Sequence, residues 1–300
     1  EPVGPMTDAV WLPWTERDAL ADRLEELALH FPARRDFELW RAGALGAFIG
    51  GGVAFVGTAE GGWLLQGGEG LWVVTATLGS MDRSDLRRVF QVATTDAELL
   101  VWDEDVGEGW VKALADLGAR PFVRQAYVQD LAEVAFREVP DQGITITPWG
   151  ESGHREAAAA LLVAANARNL EGVFLTAPKP PTAEHCEAAL KRVLEGSQGA
   201  VLPWASGVAT EGDREVGVLL CVQGEAAHQG VLFDLYVDPA ARGKQLSRRL
   251  VAAMQRALLD RGYRENRFMT MGENAPVHRL FREEEIAEVE ETRGGYWRRG

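Results

Sequence analysis

The sequence predicts an α/β protein built as two tandem copies of one domain. Three observations carry this. A chain of 300 residues is about right for two cores. Hydrophobic periodicity and turn residues give the second half the order β-α-α-β-β-β-α-β-α-β. The first half repeats the end of that order: strand, helix, strand, a helix closing on Leu117-Gly118, strand. Two copies of one domain is the economical account, residues 6–139 and 140–300. Residues 1–5, ahead of Met6, read as an expression scar.

In order along the chain, a helix is expected after Thr15, with Asp18 three residues on and Leu20, Leu24 and Leu27 on one face. From 48 to 77, short apolar runs at 53–56, 63–65 and 71–74 alternate with Gly-rich turns, the pattern of hairpins. A helix at 84–91, a strand at 99–102, a helix at 108–117 and strand material at 121–135 follow. Turn residues at 138–143 mark a linker, and a strand at 144–147 starts afresh. A helix spans 153–168. Three prolines forbid helix at 176–181, because they remove donors and fix the backbone. Thr182 caps a helix running through 194. Strands are expected at 200–210, 215–223 and 230–237. A long helix at 243–260 then carries Leu246, Leu250, Met254 and Leu258 at four-residue spacing. A strand at 267–271, a helix at 275–281 and a strand at 285–298 end the chain.

Composition narrows the function. Hydrophobic residues make up 46% and charged residues 25%, the balance of a globular chain that can bury a core. No apolar run reaches the length of a membrane span. With 31 basic and 45 acidic residues the net charge is −14, split as 12 − 23 = −11 over 1–140 and 19 − 22 = −3 over 141–300. Such a surface repels phosphate backbones, so neither nucleic acid nor a membrane is the expected partner. Cys186 and Cys221 make no disulfide framework, and a cytoplasmic location is expected. His185 beside Cys186 lacks the spacing of a zinc site, and no metal is expected. Gly50-Gly51-Gly52 and Gly67-Gly68-Glu69-Gly70 join strand to strand, which excludes a dinucleotide turn.

Chemistry concentrates between Phe233 and Leu250. A strand stops at Pro239, and a turn carrying Arg242, Gly243 and Lys244 opens the long helix. Amides at a helix start are unpaired and partly positive, so they bind phosphate, and the two cations can supplement them. The bland reading of the same residues is a crossover with two surface cations.

This segment resembles the acetyl-CoA signature of the GNAT superfamily of N-acetyltransferases: Val237-Asp238-Pro239, two residues, then Arg242-Gly243-Lys244-Gln245-Leu246-Ser247. Gln245 stands where the signature has its first motif glycine, and Ser247 where it has a small residue. Asn274-Ala275-Pro276-Val277-His278-Arg279-Leu280-Phe281 is similar to the family's later Asn-x-x-Ala-x-x-Leu-Tyr helix. Phe281 holds the place of the tyrosine credited as general acid, and Glu283-Glu284-Glu285 replaces the Leu-Gly-Phe that follows it. The first half has the helix ending Leu114–Ala119 but no Arg-x-x-Gly-x-Gly at 77–83, so it reads as a degenerate copy. On this resemblance the α/β fold is of the α+β mixed-sheet kind: two tandem GNAT-like domains, each a mostly antiparallel twisted sheet flanked by helices, the second binding acetyl-CoA.

The resemblance implies direct transfer of acetyl from acetyl-CoA to a primary amine of a small molecule. The Val237 amide is expected to stabilise the carbonyl oxygen and the Leu235 backbone to pair with the pantetheine amides, with Arg242, Gly243, Lys244, Gln245, Leu246 and Ser247 on the pyrophosphate and Asn274 and Phe281 along the arm. An alkylammonium must lose a proton before attack. Asp234 is the one ionisable carboxylate in its strand and the candidate base, although alternation places Val231, Phe233 and Leu235 on one face and Asp234 with Tyr236 on the other. Acidic charge favours a cationic acceptor. The alternative is a noncatalytic CoA- or ligand-binding protein that keeps the fold, and a larger acyl-CoA donor is a third reading.

Overall fold

A computed structural model describes residues 10–13, 52–57, 61–68, 71–79, 82–93, 98–102, 113–134, 136, 139–153, 155–167, 172, 174–175, 181–282 and 288–298. The helix predicted after Thr15, the start of the helix at 108–117, the loop at 176–180 and Glu283-Glu284-Glu285 lie outside the described residues. The chain forms two compact units, one of Glu1–Phe122, Ala177–Pro180 and Arg293–Gly300, the other of Val123–Thr176 and Pro181–Thr292.

In the first unit β1 (Val10–Pro13), β2 (Gly52–Gly57), β3 (Gly61–Gly68) and β4 (Leu71–Gly79) pair antiparallel in sequence order. The expected hairpins are there, and β1 is a strand that the sequence reading did not anticipate. Helix α1 (Arg83–Ala93) crosses over to β5 (Glu98–Trp102), which lies parallel to β4. The C-terminal end of β12 (Glu288–Arg298) closes the sheet antiparallel to β5, through Gly295↔Trp102 to Arg298↔Leu99. Leu86, Val89, Phe90 and Ala93 on one side of α1 meet Val56, Trp63, Leu65, Val74, Leu99 and Val101 in the core.

The second unit repeats this series. Strands β7 (Ile144–Pro148), β8 (Gly207–Glu211), β9 (Arg214–Gln223) and β10 (Gln229–Val237) pair antiparallel. A crossover through α4 (Leu246–Asp260) leads to β11 (Glu265–Met271), parallel to β10, and β6 (Arg120–Asp130) closes the sheet antiparallel to β11. In both units a bulge interrupts the strand before the crossover, skipping Thr75 in β4 and Phe233 in β10. The strand at 120–130, read from sequence as the end of the first half, therefore pairs in the second unit, while the last strand pairs in the first. Local pattern specifies a strand but not its partner, and here each sheet is closed by a strand from the other half of the sequence.

Helices cover both faces of the second sheet. Helices α2 (Arg155–Asn166) and α3 (Ala183–Leu194) pack Ala158, Leu162 and Leu190 against Val208, Val218 and Leu220. Thr182 caps α3 as expected, accepting from the His185 amide at 3.2 Å. On the opposite face α4 and α5 (Ala275–Arg282) lie over β6 to β11. Leu246, Leu250, Val251, Met254 and Leu258 of α4 are each under 4% exposed, and burying such a side chain is worth about 1.5–3 kcal/mol. Gly230 lets α4 approach the sheet, because a Cβ there would come within 2.8 Å of the Leu258 methyls. Arg249 fixes the other end of α4 by donating to the carbonyls of Asp141 and Ile144, each at 2.6 Å.

Candidate active site

The pairing of β10 changes halfway along. Its parallel ladder with β11 runs only from Gln229↔Glu265 to Leu232↔Phe268, whereas its ladder with β9 continues to Val237↔Gly217. The Asp238 amide donates to the Val216 carbonyl at 2.9 Å. That bond makes Val237↔Gly217, and by alternation Leu235↔Leu219, non-hydrogen-bonded pairs with β9. Leu235 and Val237 therefore aim both backbone groups away from β9, where no described strand pairs with them. On β11, the Gly272 amide donates to the Val123 carbonyl of β6 at 2.6 Å, which by the same alternation turns the backbone groups of Met269 and Met271 toward the β10 side. The two strands thus splay into a wedge lined by backbone donors and acceptors.

The bulge corrects the expected faces of β10. Leu232, Leu235 and Val237 pack on the α4 side, while Phe233 and Tyr236 pack with α2 and α3. One extra residue reverses the alternation upstream of it, so Phe233 leaves the face of Leu235 and joins that of Tyr236. Asp234 is half-buried and accepts from Nδ2 of buried Asn166 on α2 at 2.7 Å. Burial pushes the thiol of Cys186 on α3 up, and the negative charge of Asp234 adds to that shift. Nothing in the sequence signalled Asn166.

Beyond β10, Asp238 caps a single 3-10 turn at Pro239–Ala241, its carboxylate accepting from the Ala240 amide at 2.7 Å. Pro239 suits the first position of that turn, where no amide is needed. Gly243 then takes φ +82° and Gln245 φ +53°. Glycine adopts this left-handed region freely, whereas a side chain there costs about 1–2 kcal/mol. Gln245 thus carries the backbone conformation that a motif glycine would supply, with its side chain exposed and making no cap bond to α4. The first α4 bond runs from the Arg249 amide to the Gln245 carbonyl, so the helix opens with amides that have no acceptor within it.

The predicted residues fare differently. Arg242 and Gly243 are exposed on the turn and Ser247 is half-buried in the first turn of α4. Leu246 is 2% exposed, which leaves only its backbone for a ligand. Lys244 is bonded to Glu211 of β8, and that bond holds the Glu211 carboxyl below its ordinary range. Asn274 donates through Nδ2 to Thr270 Oγ1 at 3.0 Å, and its amide bonds the Met271 carbonyl at 2.9 Å. Phe281 is buried and stacked on Phe268 with centroids 4.0 Å apart, and Tyr127 of β6 also stacks on Phe268, at 4.9 Å. The Tyr127 hydroxyl lies 2.8 Å from His278 Nδ1, a pairing between strands and helix that sequence order does not announce.

The first unit treats its crossover helix in the opposite way. Asp82 precedes α1, and its Oδ1 accepts from the amides of Ser84 at 2.7 Å and Asp85 at 2.8 Å. Those bonds, that with Asp85 foremost, hold the Asp82 carboxyl below its ordinary range. A carboxylate of the chain itself therefore occupies the anion position at this helix start.

Residues 165–284 match the family model of the acetyltransferase (GNAT) family. This stretch is a GNAT domain. It spans Asn166, β10, the turn, α4, β11 and α5. The whole chain is similar in fold to a GCN5-related N-acetyltransferase from Sphaerobacter thermophilus, at 16% identity over 97% of this chain and 95% of that one, TM-score 0.51. It is also similar to the glucosamine N-acetyltransferase region of a fungal multi-domain GH3 β-N-acetylglucosaminidase, at 12% identity over 99% of this chain and 39% of that one, TM-score 0.52. No curated protein matches it significantly in sequence. Among the described residues no three metal-ligating side chains cluster beside the GNAT domain or elsewhere, and no helix is long and apolar enough to cross a membrane.

Proposed function

We propose that the second unit transfers the acetyl group of acetyl-CoA directly to a primary amine of a small molecule. The observation that carries this is the run of unpaired backbone at Leu235 and Val237, which leads along the strand to the open amides of α4. A pantetheine arm is a chain of amides of the right chemistry to pair with the open backbone of Val237, which it reaches first from α4. Farther from α4, the Leu235 N–H rather than that of Val237 faces the thioester carbonyl and stabilises the charge that develops there, a kind of interaction worth several kcal/mol in a dry site. The amides of Leu246 and Ser247 take the pyrophosphate, with Gly243 and Gln245 shaping the turn and Arg242 supplying charge. Asn274 and Phe281 support the arm from α5, Phe281 through the core rather than by contact. Lys244 acts on the cofactor only through the field of its pair with Glu211.

Asp234 is the proposed base, held by Asn166 and paired with the acidic surface in favouring a cationic acceptor. The first unit is proposed to be a degenerate GNAT copy, because it keeps the strand order and bulge but caps its helix with Asp82. The acidic net charge supports a protein that engages neither nucleic acid nor membrane, and two free, buried cysteines fit a cytoplasmic setting. The second reading, a noncatalytic CoA-binding protein, draws on Phe281, which has no proton to give. Calorimetry with acetyl-CoA followed by thiol release across an amine panel separates the two. Binding with turnover supports transfer, binding without turnover on any amine supports the second reading, and absence of binding removes both.

A further inference from the structure

Acetyl transfer from a thioester leaves a thiolate that must end as a thiol, and Phe281 cannot protonate it. The register of β11 turns the Met271 carbonyl toward the wedge, and His278 Nε2 lies 3.0 Å from that oxygen. A carbonyl only accepts, so Nε2 carries a hydrogen. On the other side of the ring, Nδ1 lies 2.8 Å from the Tyr127 hydroxyl, which also lies 3.1 Å from Gln125 Oε1. The hydroxyl thus sits between two acceptors. With a neutral ring it donates to Nδ1; with a protonated ring Nδ1–H donates to the phenol oxygen and the hydroxyl turns to Gln125. Both protonation states of His278 are therefore fully hydrogen-bonded without any shift of backbone. The ring is half-buried, so it can be recharged from solvent, while Tyr127 behind it is 1% exposed and fixed by stacking on Phe268.

We infer that His278 is the general acid of the acetyl transfer proposed above, with Tyr127 as its positioning residue; the inference rests on that reading of the wedge. In the step, the imidazolium Nε2–H bond breaks as the carbon–sulfur bond breaks, and an S–H bond forms on the departing sulfur. The neutral imidazole is left as the Nδ1–H tautomer, which donates to the Tyr127 phenol oxygen while the hydroxyl turns to Gln125, and Nε2 is bare. The proton shed by the attacking amine leaves at Asp234 or to water, and a solvent proton restores the imidazolium. Charge and protons balance without a further reactant.

The test follows the His278 ring by NMR titration of the full-length chain alone, with CoA, and with desulfo-CoA, alongside calorimetry of both ligands. The titration of His278 is expected to move with CoA and not with desulfo-CoA, because only the former brings sulfur to the ring. If both ligands bind and the titration is the same with each, His278 does not face the sulfur and this assignment fails while the CoA site stands. If neither binds, the reading of the wedge fails and the assignment with it. With an amine that is turned over, His278→Gln keeps an N–H for the Met271 carbonyl but has no proton to transfer. It should lower kcat about 10²-fold or more, the usual contribution of general acid catalysis, with the KM for acetyl-CoA within about twofold of wild type. An unchanged kcat overturns the assignment.

Discussion

Asn166 on α2 donates to Asp234 on β10 at 2.7 Å while the same nitrogen lies 3.1 Å from the Leu162 carbonyl. The bond ties α2 to the strand whose backbone opens into the wedge. If Asp234 is the base, Asp234→Asn should lower kcat about 10²–10³-fold, the range for losing one proton acceptor, and leave acetyl-CoA affinity intact. Asn166→Ala should act mainly on the fold, at about 1–3 kcal/mol for a buried polar contact removed, with a smaller loss of rate. Equal rate losses in the two variants, measured with urea titrations beside kinetics, would show that Asp234 only holds the helix.

The two crossover helices predict a stoichiometry. Asp82 fills the start of α1 with a carboxylate, whereas α4 begins with Gln245 and no side-chain cap. One CoA per chain is therefore expected by calorimetry, although both units have the same strand order. Arg242→Glu should abolish that binding. Lys244→Gln should weaken it by less than Arg242→Gln, because Lys244 is already paired with Glu211. Two CoA molecules per chain, or the reverse order of the two cation variants, would refute this account of the turn.

Gln245 invites a gain of stability. Its φ of +53° is one that a Cβ disfavours, and Gln245→Gly should remove about 1 kcal/mol of strain, offset in part by the greater freedom of glycine in the unfolded chain. A small rise in urea midpoint is expected, together with CoA affinity equal to or tighter than wild type. A fall in both would mean that the glutamine side chain itself contacts the nucleotide.

Much of the candidate site was readable because its parts are contiguous. Val237-Asp238-Pro239 announces a strand end and a capped turn, and Leu246 to Leu258 announces a helix with one buried side. The helix at 183–194 and its cap at Thr182 are equally local. What sequence could not give is pairing between distant segments. Nothing in residues 120–130 says that they close the second sheet rather than the first, and nothing near Phe233 says that a bulge will turn it to the other face. Tyr127 and His278 stand 151 positions apart, and only the placement of β6 beside β11 brings them together.

Asp82 also sets an acid limb. Its carboxyl is held below the ordinary value by the amides it caps, so the folded state binds that proton less readily than the unfolded chain. Its stabilising effect is complete above the unfolded value of 3.8 and is lost as pH falls through the lower folded value. Urea midpoints should decline over that window, and the part of the decline due to this group should vanish in Asp82→Ala, which should also be less stable than wild type at pH near 7. The same acid profile in both proteins would show that other carboxyls carry the limb.

Three amides, Gln129 of β6, Asn266 of β11 and Gln255 of α4, have almost no exposure. Gln129 and Asn266 face each other in register, and Gln129 Oε1 accepts from Gln255 Nε2 at 2.8 Å and Asn266 Nδ2 at 3.3 Å. Among the described residues Gln129 Nε2 and Asn266 Oδ1 have no partner, so the cluster is only half satisfied. Such a network is weak support for stability, yet cutting it at one point leaves more buried groups unpaired. Gln129→Leu alone removes the acceptor of both neighbours and should cost about 1–3 kcal/mol. Replacing all three by leucine removes every unpaired group at nearly constant volume and should restore most of that loss. The strand then loses its polar match with β11, so refolding of the triple variant should be less faithful even where its equilibrium stability is regained. Urea denaturation of the single and triple variants decides the point: a triple variant less stable than Gln129→Leu would mean that the amides are net stabilising and that the β6–β11 closure depends on them.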